Sequence, residues 1–154
     1  GSYTQWDLKL QARITALIMS VNAYKGIEIG GGMKGVEKYG SEIHDEIGLK
    51  ENHFIRHSNN AGGIEGGMSN GQPIILRVAM KPIPTLIKPL KSIDIMTKEE
   101  KLAHKERTDS CAVPAASIIA ESMLALSLAD ALLEKFGGDS MQQLNNHIKA
   151  SGKY

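Results

Sequence analysis

The chain has 154 residues, of which 42% are hydrophobic and 23% charged, and its net charge is +1. Such a composition suits one soluble globular domain able to bury about two-thirds of its unfolded surface. Near-neutral charge and only 5% aromatic residues leave no electrostatic footprint for nucleic acid or an anionic membrane, and no stacking platform for single strands. Gly1-Ser2 reads as a scar of tag cleavage, which makes 3–154 the single domain. The lone Cys111 allows no internal disulfide; with no secretory leader in view, a reducing, cytoplasmic compartment is expected.

In chain order, residues 7–20 form a helix, with Leu10, Ile14, Leu17 and Ile18 on one face and Asp7 as its cap. Ser20 to Gly26 ends it, and Ile27-Glu28-Ile29 is a short strand running into Gly30-Gly31-Gly32. Asn22, read locally, is a residue that tolerates the left-handed conformation closing a helix. Met33 to Tyr39 predicts a short helix closed by Gly40, and polar Ser41 to Asn52 a mobile loop or flap. The His44-Asp45-Glu46 run in it reads as solvated, because three adjacent residues do not converge on a metal ion.

Asn59 to Gly71 holds two double-glycine pairs, Gly62-Gly63 and Gly66-Gly67. It is no Walker loop or dinucleotide fingerprint; it reads either as a flexible hairpin loop or as backbone laid close to a ligand. Pro73 to Met80 is a strand with Ile74, Leu76, Val78 and Met80 on one face. The turn Lys81-Pro82-Ile83-Pro84-Thr85 follows. Its two prolines stiffen the backbone, so that Lys81 and Thr85 either meet an anionic or polar ligand edge or simply cover the surface. Lys91 to Ile95 is a further strand, and Met96 to Glu106 an exposed connection.

Arg107 and Asp109 stand two apart, on one face of an extended segment. They either pair at the surface or present a cation and a carboxylate at the start of the next helix. That helix runs from Pro114 to Phe136, is apolar almost all round, and stops at Gly137-Gly138. Its Ser117, Glu121, Ser127, Asp130 and Glu134 argue for a buried helix rather than a membrane span. Cys111 reads as small buried filler. Asp139 or Ser140 caps a last helix ending near Ala150.

Five stretches, in order, resemble chorismate synthase: Ser20 to Gly30, Gly40 to Glu46, Asn59 to Gly71, Arg77 to Thr85, and Arg107 to Ala116. The resemblance implies an α+β fold, part of a β-α-β sandwich whose long buried helices pack against antiparallel sheet. It implies elimination of phosphate from 5-enolpyruvylshikimate 3-phosphate to give chorismate, in the shikimate pathway, by an enzyme that needs reduced FMN. Carried over by motif, the flavin contacts fall on Asn22, Ala23, Gly66, Lys81, Pro82, Ile83, Pro84, Thr85 and Arg107. The catalytic carboxylate falls on Asp109, as a proton relay beside the flavin; no metal is implied. The full-length family forms homotetramers. Its Ser-His-Gly motif, second essential histidine and arginine-rich segment are not found here, and His44, His53, His57, His104 and His147 sit in neither histidine context. The chain therefore resembles the C-terminal portion of the enzyme, expected to be inactive alone, with a purely non-catalytic folding and assembly module as the alternative.

Overall fold

The computed structural model describes residues 1–106 and 111–152. Helix α1 (Leu10–Met19) leads into strand β1 (Tyr24–Ile29), followed by the short helices α2 (Gly32–Gly35) and α3 (Gly40–Ile43). Three hairpin-related strand pairs come from β2 (Ile47–Lys50) with β3 (His53–Arg56), β4 (Ile64–Glu65) with β5 (Met68–Ser69), and, beyond β6 (Leu76–Met80), β7 (Lys91–Ile93) with β8 (Glu100–Leu102). The chain closes with α4 (Val113–Phe136) and α5 (Met141–Ala150). The fold is thus mixed α+β, with every strand pair antiparallel.

The core is built on the spacing read from α1. Leu10, Ile14 and Ile18 are sealed against Tyr24, Ile64 and Ala116. The β1–β6 ribbon pairs Ile27 with Val78 and Ile29 with Leu76, which turns Ile74, Leu76, Val78 and Met80 inward together, as their alternation predicts. On the outer face Glu28 pairs with Arg77 across the ribbon; that bond first, then the Met33 N–H, holds the Glu28 carboxyl below its usual range. Helix α4 runs antiparallel to α1: Arg13 forks to Asp130 and Glu134 near one end, while the Tyr24 hydroxyl donates to the Ala116 carbonyl at the other.

Several expectations are corrected. Asp7 does not cap α1; Lys9 is the N-cap residue and makes no side-chain cap bond. Gly40 does not close the preceding helix but opens α3, and residues 41–52 are ordered into α3 and the β2–β3 hairpin. The reason is a two-residue turn in which Glu51 and Asn52 both take positive φ, +50° and +64°. That geometry matches strand twist but usually advertises itself with Asn-Gly. The exposed 96–106 connection contains β8. Cys111 is exposed, not filler, and stands in the segment before α4 rather than on its inner stripe.

The largest correction concerns α4 itself. Its inner stripe of Ala116, Ala120, Met123, Leu124, Ser127, Leu128 and Ala131 meets the core or is partly buried. Ile118, Leu126 and Leu133 face outward at 62%, 60% and 50% exposure. By length and composition α4 could also cross a membrane. Among the described residues no second sheet covers its outer side, so one half of a helix-and-sheet sandwich is formed here. The accessible surface is 11985 Å², so the chain buries about half of the roughly 24,000 Å² it would expose unfolded, against the two-thirds expected of its size.

The end of the chain follows expectation. Gly137, at φ +61°, stops α4 through its N–H to the Leu133 carbonyl. Ser140 then caps α5, accepting from the Gln143 N–H at 3.2 Å, while the Gln143 side chain accepts from the Asp139 N–H. Leu144 anchors the helix; Met141 is 69% exposed.

Candidate functional site

The residues proposed to meet the flavin gather in part. At the C-terminal end of α1 the chain turns through Asn22 and Ala23, and it is Ala23, not Asn22, that takes the left-handed conformation, with φ +71°. A left-handed alanine costs about 1–2 kcal/mol, so its surroundings must hold it. They do so with the Lys81 N–H, which donates to the Ala23 carbonyl at 2.7 Å. That bond extends the β1–β6 ladder and brings the start of the Lys81–Thr85 turn beside Asn22-Ala23.

Tyr24, the next residue, is 4% exposed and its hydroxyl ties the first turn of α4 to the same corner. Ala116, near the start of α4, is thus tied through a tyrosine side chain to the residue that follows Ala23. The N-terminal backbone N–H groups of α4 and the positive end of its dipole add to Lys81 as features that favour an anion. Arg107 and Asp109 precede this helix and lie outside the described residues. Thr85 lines a cavity of about 370 Å³ shared with Pro84, Leu90, His104 and Glu106. His104 carries no family motif, and nothing in its sequence context would have singled it out. A second, apolar cavity of about 360 Å³ separates Met80 and Val78 from Ala116, Ala120 and Leu124.

Gly66 is not in this corner. It forms the β4–β5 turn with Gly67, at φ +58° and +94°. Gly67 is packed: a side chain there would meet the Ser2 carbonyl at 2.4 Å, and its own carbonyl accepts from the Leu10 N–H. Gly66 has nothing within 4 Å of where a Cβ would stand, leaving one open backbone face of the kind a flat ligand could approach. Because Gly67 sits at the start of α1 and Asn22 follows its end, the two parts are about 15 Å apart along the helix. The glycine-rich segment is thus a hairpin, and a pinned one rather than a flexible one.

The pin is Asp45. Its run was expected to be solvated; instead its carboxylate accepts from the Ser58 hydroxyl and from the backbone N–H groups of Asn60 and Ala61, at 2.7 and 2.8 Å. Burial acts to raise the Asp45 pKa, but these hydrogen bonds, with Arg56 nearby, outweigh it and hold the carboxyl below its ordinary range.

With this geometry in hand, the comparisons with known proteins decide the family. The model of the chorismate synthase family matches residues 1–133. The chain belongs to the chorismate synthase family. Chorismate synthase of Aquifex aeolicus is 56% identical over 158 residues, covering 97% of this chain and 40% of that protein. Chorismate synthase 1 of Bacillus cereus is 54% identical over 155 residues, covering all of this chain and again 40% of the relative. Among solved structures, a chorismate synthase crystal structure superposes with a TM-score of 0.79 at 45% identity, over 98% of this chain and 38% of that one. The chain thus spans about two-fifths of the length of the chorismate synthases it matches, which accords with one covered and one uncovered side of α4.

Proposed function

We propose that this chain forms the flavin-binding and proton-relaying portion of a chorismate synthase. In that enzyme 5-enolpyruvylshikimate 3-phosphate loses phosphate by 1,4-anti elimination. The reading is supported most by one observation: Lys81 N–H to Ala23 C=O, at 2.7 Å, joins two motif stretches that lie far apart in sequence, and the adjoining Tyr24 hydroxyl reaches Ala116 at the end of another. Lys81, the Thr85 hydroxyl and the Arg107 guanidinium form a donor set suited to the phosphate and polar ring edge of FMN. Asn22-Ala23 and Gly66 supply backbone at close approach. Bound reduced FMN supplies the electron-rich ring that makes cleavage of the allylic C–O bond possible. Within this chain, Lys81 and Arg107 hold anionic groups in place. Asp109 accepts the proton that leaves the substrate ring, a task for a carboxylate in hydrogen-bond reach. The histidine and arginine groups of the family's other portion complete the site, and the enzyme assembles as a homotetramer in the cytoplasm.

Anaerobic titration of the 154-residue chain with reduced FMN tests this. Saturable binding that weakens at least ten-fold in Lys81→Ala is the expected result; no binding by the folded chain removes the claim that this portion holds the cofactor alone. A second reading, a non-catalytic assembly module, is favoured by the exposed outer face of α4. Chorismate formation by the purified chain without the rest of the enzyme would eliminate it.

A further inference from the structure

One carboxylate organises the glycine hairpin. Asp45 holds three donors within four residues, Ser58, Asn60 and Ala61. On the other side of that turn the Asn60 carbonyl accepts from the Gly31 N–H at 2.7 Å. Gly30 and Gly62 interlock there so tightly that a Cβ on Gly62 would stand 2.3 Å from the Gly30 nitrogen. Asn59 carries the register onward, accepting from the Gly63 N–H and donating to the Pro73 carbonyl, both at 2.9 Å. From Gly63 the chain passes directly into β4 and the Gly66 turn, and Glu65 is tied there by Arg56 and Asn70.

We propose that Asp45 is a positioning residue for the ligand edge formed by Gly66, acting through the 58–63 turn. It rests on the flavin reading above, in which Gly66 borders FMN. The carboxylate is required because several donors converge on its two oxygens. An asparagine offers a single acceptor and turns an NH₂ toward a backbone N–H. Without the carboxylate the turn loses its outer support, and the hairpin carrying Gly66 keeps its tie to α1 through the Gly67 carbonyl but is no longer fixed relative to the end of β1.

The test is anaerobic titration of the 154-residue chain with reduced FMN, together with backbone amide hydrogen exchange, for wild type, Asp45→Asn, Asp45→Ala, Ser58→Ala and Asp94→Asn. Asp94 caps a turn by the same chemistry, accepting from the Met96 and Thr97 N–H groups away from the glycine hairpin, and serves as control. Both Asp45 variants are expected to weaken FMN binding about ten-fold or more, Ser58→Ala a few-fold, and Asp94→Asn less than two-fold. Exchange protection should fall at the Gly31, Gly63 and Ile75 amides while α1 keeps its own. Asp45→Asn binding within two-fold of wild type overturns the proposal. If wild type binds no FMN, the flavin reading fails separately and exchange alone decides: unchanged protection at Gly31 and Gly63 overturns the role of Asp45, and its loss upholds it. If Asp45→Ala does not fold, Ser58→Ala, which keeps the carboxylate and both amide bonds, carries the affinity arm, and unchanged affinity there overturns the proposal.

Discussion

Two glycines four residues apart should respond very differently to the same added methyl. At Gly62 the backbone is left-handed (φ +64°), and a Cβ would lie 2.3 Å from the Gly30 nitrogen and 2.5 Å from its Cα. Relief requires the 58–63 turn to move away from the end of β1 by about an ångström, because both partners are backbone. That movement strains the Ile75 N–H bond to Gly62, 3.2 Å, and the Gly31 N–H bond to Asn60, 2.7 Å. A left-handed alanine costs about 1–2 kcal/mol and two weakened hydrogen bonds about 1 kcal/mol each, so Gly62→Ala should destabilise by about 3–4 kcal/mol. At Gly66 the φ is +58° but the space is open, so Gly66→Ala should cost only about 1–2 kcal/mol. Urea unfolding followed by circular dichroism reads both, and thermal midpoints should separate by several degrees. Equal losses for the two variants would refute the view that the Gly30–Gly62 contact holds the hairpin.

Ile14, with no exposed surface, should cost about 2–5 kcal/mol as Ile14→Ala, read by the same urea curves. Arg13→Ala, which removes the fork to the solvent-facing Asp130 and Glu134, should cost about 1 kcal/mol at low salt and less in 0.5 M salt, measured as the shift in urea midpoint. Asp45 has a depressed folded pKa, so the unfolded chain binds its proton more readily. Its contribution is full above the unfolded value, about 3.9, and is lost as pH falls through the folded one. Urea midpoints measured downward from pH 5 should therefore fall more steeply for wild type than for Asp45→Asn. Leu126, 60% exposed on the outer face of α4, should accept Leu126→Lys with a stability change within about 0.5 kcal/mol, read by the same urea curves.

Much of the fold was legible because it follows local rules. The 3.6-residue spacing of Leu10, Ile14 and Ile18, the alternation from Ile74 to Met80, the glycine stop after Phe136 and the Ser140 cap all answer to backbone periodicity and end effects. The β2–β3 hairpin was not legible, since Glu51-Asn52 adopts positive φ without a glycine. Nor could the left-handed residue be placed at Ala23 rather than Asn22. Intrinsic preference favours asparagine, but the Lys81 N–H, just past β6 and more than fifty residues away, fixes the Ala23 carbonyl.

By itself, then, the sequence determined the helices α1, α4 and α5 and the strands β1, β6 and β7, which of their residues are apolar, and, through five ordered stretches, the chorismate synthase family. Tertiary structure decided which of those residues find a partner. It left α4 covered on one side, separated Gly66 from the Asn22–Lys81 corner by the length of α1, and turned a carboxylate in a polar run into the anchor of the glycine hairpin. The physical reason is that periodicity and propensity act over one or two turns of chain. Burial and hydrogen-bond partnership are settled between residues brought together from far apart.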